Sequence, residues 1–223
     1  MLRKFLMALL CVSAFQAVAL EKGDWILHLR GINVDPNDDS SAIRVDGANV
    51  AGTGVKVDAG QSLDISISYM FKDNWSVQLL ADLTSKHSVS AFGLGGLGVP
   101  DGTDVIELNT LPPTVFLNYQ FNAQGKWRPY AGFGLNYTTF VRDDFTDAAK
   151  AVLDARDLDL DDSFGLAVQV GVDYQFSEKW FFNVNAKYID ISTDANFTTA
   201  LGQTSVDVDV DPTILGVGFG FIF

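Results

Sequence analysis

Few residues in this chain have the types and spacing that chemistry needs. The only histidines are His28 and His87. His87 stands near Asp82, Ser85 and Ser88, the parts of a hydrolytic triad. A nucleophilic serine needs a sharp turn that lifts it clear of its strand, and no Gly-x-Ser-x-Gly elbow occurs. A polar rim accounts for the group better, so no catalytic residue and no enzymatic activity are expected. Two histidines alone make a poor metal site. Asp157, Asp159, Asp161 and Asp162 look like the start of a calcium loop. Position six, where glycine is required, is Asp162, and position twelve, where glutamate closes the site, is Val168. No metal and no cofactor are expected.

Four further charged residues, Asp64, Arg128, Asp173 and Lys187, lie within apolar alternating segments, and the elements that carry them decide their role. Arg3 and Lys4 precede the apolar run Phe5 to Ala14 and the small-x-small pattern Ala17-Val18-Ala19. That is a secretory signal peptide over 1–19, leaving residues 20–223 as one domain. The one cysteine, Cys11, lies inside the leader, so neither disulfides nor thiol chemistry are expected. The formal net charge is −13. The leader holds two cations and no acid, so the remainder is more acidic still. Such a surface repels nucleic acid.

Apolar residues alternate with polar ones through eight segments, roughly 25–34, 61–71, 75–84, 106–121, 127–140, 163–176, 180–191 and 206–223. Connections after Phe71, Phe121 and Phe176 are short, whereas those after the odd segments are long and rich in Gly or Asp. Short turns at one end and long loops at the other describe an up-and-down antiparallel barrel. All four tryptophans, Trp25, Trp75, Trp127 and Trp180, begin odd segments. Tyr69/Phe71, Tyr119/Phe121, Tyr174/Phe176 and Phe221/Phe223 end even ones. One rim therefore carries a ring of amphipathic aromatics, ending at Phe223, as at a membrane interface. The expected fold is an all-β, eight-stranded transmembrane barrel with both termini at the tryptophan rim. Residues 144–156 have helical composition, and Asp144 or Thr146 is placed to cap a short helix in the third long loop.

The sequence resembles the OmpW family of outer-membrane barrels. The matching stretches are Leu111-Pro-Pro-Thr114, Arg128-Pro-Tyr130, Gly132, Gly134, Asn136-Tyr-Thr-Thr-Phe140, Gln169-Val-Gly-Val-Asp-Tyr174, Tyr188-Ile-Asp-Ile191 and Asp211-Pro212. They run in order through most of the mature chain. The resemblance implies a narrow barrel in the outer membrane of a Gram-negative bacterium that passes small hydrophobic molecules and releases them sideways through its wall. Its group includes relatives that aid alkane uptake. Expected partners are such a solute, outer-membrane lipid and lipopolysaccharide, and the barrel-assembly machinery, which the terminal Phe223 would address. The acidic loops, with Asp35, Asp38, Asp39, Asp143, Asp144 and Asp147, read as solvated. Divalent ions shared with lipopolysaccharide phosphates are the sharper alternative.

Eight strands leave an interior just wide enough for side chains. Near the tryptophan rim the inward face is polar, with His28, Ser68, Asn118, Gln120, Gln175, Asn183 and Asn185. Asp64, Arg128, Asp173 and Lys187 are expected to form one charged plug there. Toward the loops it turns apolar. Ile32, Leu80, Ile106, Leu108, Phe140, Ile189, Ile191, Val208 and Ile214 are the expected mouth of a transport lumen, although the same cluster would serve as a small core for the loop end. Pro112 and Pro113 withhold two ladder donors. They are the expected lateral gate, against the plainer reading of a kink. Passage of small polar or zwitterionic solutes, or a structural or surface-interaction role, are the alternatives.

Overall fold

A computed structural model describes residues 18–82 and 86–223. The leader up to residue 17, and Leu83, Thr84 and Ser85, lie outside the described residues. The first half runs β1 (Trp25–Asp35), β2 (Asp39–Ser40), β3 (Arg44–Val45), β4 (Ala48–Asn49), β5 (Gly54–Val57), β6 (Gly60–Lys72), β7 (Trp75–Asp82), β8 (Lys86–Phe92) and β9 (Thr103–Leu111). The second half runs β10 (Thr114–Gln120), β11 (Trp127–Phe145), β12 (Arg156–Leu160), β13 (Ser163–Gln175), β14 (Trp180–Ile189), β15 (Ser192–Thr199), β16 (Gly202–Asp209) and β17 (Thr213–Ile222). Among the described residues one α-helix, α1 (Asp147–Leu153), accompanies them.

Eight of these strands pair antiparallel in the order β10-β7-β6-β1-β17-β14-β13-β11, and β10 pairs with β11 to close the ring. Side-chain alternation sets the two faces of the wall. On β1, Ile26, His28, Arg30, Ile32 and Val34 are buried while Leu29 is 50% exposed. Leu79, Phe133, Val170 and Leu215 on other strands also stand half exposed or more. A closed ring with an apolar exterior suits hydrocarbon, because closure leaves no open sheet edge in the wall. Toward the tryptophan rim the interior is packed with side chains. Where a large inward side chain lies over its neighbour, the paired strand carries glycine: a Cβ at Gly220 would meet the Phe181 ring, and one at Gly171 the Tyr130 ring.

The wall departs from the sequence reading above the barrel. The expected fourth segment is two strands, β9 and β10, parted by Pro112–Pro113, and the expected eighth is β16 and β17, parted by Asp211–Pro212. The long connections are not simple loops. β9 and β11 continue upward into β8 and β5, and β12, β15, β16, β3 and β4 form a separate sheet. Residues from both sheets, including Val55, Val89, Ile106, Phe145, Ala195 and Val206, share one apolar core. The hydrophobicity of the loop segments is what holds these extensions together. The loop helix forms as expected but shorter, with Thr146 as its cap: the Thr146 hydroxyl accepts from Ala149 N–H at 3.2 Å.

Candidate functional site

Three layers fill the interior. At the tryptophan rim, Leu20, Ile26, Met70, Ala123, Phe181 and Ile222 form an apolar end cluster. Leu20 is held there by a backbone bond to Ala123 at 2.8 Å. The sequence reading placed only polar residues at this level. The parity of Ile26, Met70, Phe181 and Ile222 on their strands was the available signal for the cluster.

Above it lies the polar layer. Arg30 Nε donates to Asp64 Oδ1 at 2.7 Å, and Lys187 Nζ donates to the other oxygen. Arg30 also reaches Ser66 Oγ at 2.9 Å and Asn183 Oδ1 at 3.4 Å. Asn183 in turn donates to Asp173 Oδ1 at 2.6 Å, and His28 Nε2 lies 3.4 Å from the same oxygen. Gln78 donates to Ser66 at 2.9 Å, and Gln169 donates to Gln78 and Asn118 at 2.6 and 2.7 Å. Every strand of the ring except β17 contributes a buried polar side chain, and the axial path is occupied by them.

This layer corrects the expected plug. Asp64, Asp173 and Lys187 belong to one network, but its centre is Arg30, which the sequence reading omitted. Arg128 stands apart. It donates to Gln175 Oε1 at 2.8 Å, to Gly125 O at 2.9 Å and to the Val18 carbonyl, without touching Asp173. Charges buried this deep are tolerated only when paired and hydrogen-bonded. Asp64 carries most of that requirement, since it faces two cations at once.

The apolar layer comes next, as two adjoining cavities that share part of their lining. The inner one is narrow, with a volume of about 80 Å³, and is partly open. Val34, Ile106, Leu108, Phe140, Ile189, Ile191, Val208, Val210 and Ile214 line it, as does Pro112. The outer one, about 400 Å³, lies beneath the loop tips, with Val50, Leu97, Leu153 and Leu201 each brought by a different long connection. Val55, Ile106 and Val206 line both and are nearly fully buried, so they form the neck between the cavities. Of the expected mouth residues, Ile32 and Leu80 are buried but line neither cavity.

At the floor of the inner cavity the wall changes partners. On the β11 side the register runs unbroken past the prolines, with Thr139 opposite Leu111 and Asn136 opposite Thr114. Tyr137 N–H donates to Pro113 O at 3.1 Å. Alternate residues of a ladder face alternate neighbours, so Pro112 faces β7 and has no N–H to offer it. On that side Leu80 lies opposite Thr114 and Lys86 opposite Asn109, one register step displaced, and residues 83–85 between them lie outside the described residues. The register of the wall therefore shifts on one side only, beside the prolines.

The rim residues also fall together. Trp25 pairs with Tyr69, Trp75 with Tyr119, Trp127 with Tyr174 and Trp180 with Phe221, at ring separations of 4.9, 5.0, 4.6 and 4.9 Å. Trp25 and Phe223 exchange backbone bonds at this rim, which joins the two ends of the barrel. Of the discounted triad, Asp82 and His87 line the inner cavity and Ser88 does not, while Ser85 lies outside the described residues. Among the described residues no three acidic or histidine side chains converge to hold a metal ion. In the outer sheet, Arg44 hydrogen-bonds Asp207 and holds it below the usual carboxylate range. Asp194, opposite Asp207, is raised by burial and by the Asp207 charge.

A closed eight-stranded ring with an apolar exterior and a packed polar interior is the architecture of an outer-membrane barrel protein. The chain belongs to the OmpW family, whose model matches residues 21–223. It is 35% identical to outer membrane protein W of Vibrio cholerae, over 98% of this chain and 97% of that protein. The crystal structure of the outer membrane protein OprG from Pseudomonas aeruginosa superposes with a TM-score of 0.86 at 37% identity, covering 92% of this chain and 98% of that one. The dibenzothiophene metabolism operon protein PahQ, also from Pseudomonas aeruginosa, is 24% identical over 90% of this chain and 89% of its own. Relatives named as outer membrane proteins place this chain in the outer membrane.

Proposed function

We propose that this barrel carries small hydrophobic molecules passively into the outer membrane. A solute enters the outer cavity at the loop tips, passes the Val55–Ile106–Val206 neck, and leaves the inner cavity sideways beside Pro112 and Pro113. The observation that carries this reading is the termination of an apolar cavity on a polar layer that fills the lumen. Going down would strip hydrogen bonds from Asn, Gln and charged groups, at roughly 1–3 kcal/mol each. The bilayer outside returns about 25 cal/mol per Å² of apolar surface. The path of lower free energy crosses the wall where its ladder is weakest. Kinship with a protein named for dibenzothiophene metabolism, an apolar heteroarene, supports the same solute class. Apolar Phe219 and Phe221 with terminal Phe223 suit recognition by the barrel-assembly machinery. The paired aromatics act as an interface girdle on the periplasmic side, and the acidic loop ends face lipopolysaccharide.

The test is the double substitution Pro112→Thr and Pro113→Val, which restores both missing donors. Barrel stability is expected to hold or rise, and uptake of a labelled apolar solute by intact cells to fall. A variant that folds, inserts and takes up the solute at the parental rate would falsify sideways release. Equal permeation of liposomes by sugars and amino acids would instead favour a channel for polar solutes.

A further inference from the structure

The inner cavity is not uniformly apolar. Asp82, His87, Thr110, Thr138 and Thr193 are its polar lining among aliphatic neighbours. Four of these five lie on the wall made by β7, β8, β9 and β11, the wall that contains Pro112. They are biased toward accepting. The Thr138 hydroxyl gives its proton to Asn136 Oδ1 at 2.7 Å, so its lone pairs are what remain. His87 Nδ1 is buried and has no hydrogen-bond partner among the described residues. Asp82 brings a carboxylate to the same side, next to the Asp64 position on the neighbouring strand. The opposite wall is aliphatic, with Ile189, Ile191, Val208 and Ile214.

A plain hydrocarbon seated here would cover these groups and return no hydrogen bond to them. A carboxylate head would meet the charge of Asp82 and a surplus of acceptors. A hydroxyl can donate to the acceptors and accept from Thr110, since the Thr193 hydroxyl gives its proton to Asp161 O at 2.8 Å. We propose that the inner cavity is a binding site for an apolar molecule bearing one hydroxyl, an alkanol or a phenol, with the hydroxyl read by His87 and Thr110 beside Pro112. This deepens the uptake reading above and rests on it. It also gives the proline pair a selecting role: the solute is oriented with its polar end at the exit and its apolar body against the far wall.

The experiment uses the full barrel in lipid nanodiscs, with displacement of an apolar fluorescent dye by 1-octanol, n-octane and octanoate at neutral pH. Empty nanodiscs correct for partitioning into lipid. Octanol is expected to bind about fivefold more tightly than octane, the ratio that one net hydrogen bond supports, and more tightly still than octanoate. His87→Leu with Thr110→Val should erase the preference for octanol over octane while leaving octane binding in place. Thr110→Val alone, a milder change at a partly buried site, should halve it if the double variant fails to fold. Octane and octanol bound equally by the parental barrel would overturn the assignment, as would an unchanged preference in Thr110→Val together with the double variant. If none of the three displaces the dye, the uptake reading falls and the hydroxyl site falls with it.

Discussion

Asp64 accepts from Arg30 and Lys187 together, and all three side chains are buried. Asp64→Asn would leave two cations facing each other without a counter-charge, so it should destabilise the barrel by roughly 3–5 kcal/mol, read as a shift in urea unfolding in lipid vesicles. Arg128 leans on an amide and on backbone carbonyls instead. Arg128→Gln is expected to cost about 1.5–3 kcal/mol, the worth of hydrogen bonds to a charged group. Equal losses would mean that the two sites form one network, as the sequence alone suggested. Arg30 was legible in principle. His28 and Ile32 point inward on β1, and a strand repeats every second residue, so Arg30 between them must point inward too. What parity could not give is which carboxylate each cation meets, because that depends on the register and tilt of strands distant in sequence.

At the scale of the element, the neck and the outer hairpin each support a test. Ile106 is β-branched, which stiffens its side chain, and it touches both cavities. Ile106→Trp should overpack the neck by roughly 1–3 kcal/mol and lower the uptake of bulky apolar solutes more than that of slender ones. Uptake assays across a size series would reveal an unchanged ratio if the neck is not on the path. In the β15–β16 hairpin, Asp194 is raised above the ordinary carboxylate range, so its ionised form opposes folding at neutral pH. That penalty disappears as pH falls through the raised value. Asp194→Asn should therefore slow amide exchange across β15 and β16 at neutral pH and make no difference in acid. Asp207 has the opposite sign, because Arg44 lowers it, and its contribution is lost on acidification. The barrel strands were readable from alternation because one face of each meets lipid and the other a packed interior. The hairpin of β15 and β16 was not, since Thr193 and Thr199 leave only Ala195 and Phe197 as apolar residues on the inward face of β15. The same holds for β8, whose Lys86 and His87 read as a polar rim.

For the whole molecule, the even strand number puts both chain ends at the tryptophan rim, with α1 and the outer sheet at the other. If that rim is periplasmic, a cysteine placed at Asp39 or Ala151 will react with an impermeant reagent on whole cells and one at Asn122 will not. The reverse pattern would turn the barrel over. The overall plan was open to sequence reading because the tryptophans punctuate it. The division into two cavities was not, since it arises from two sheets leaning together above the membrane. The stacked end cluster and polar layer have a further consequence, for the cell rather than for the solute. A water-filled pore leaks ions in proportion to its copy number, which limits how many a membrane tolerates. Here the axis is occupied by side chains from the Phe181 level to the Lys187 level. On the proposed reading, a barrel built this way is expected to pass little current in planar bilayers, so its abundance could rise with demand for its solute while the outer membrane keeps its resistance to salts and to charged antibiotics.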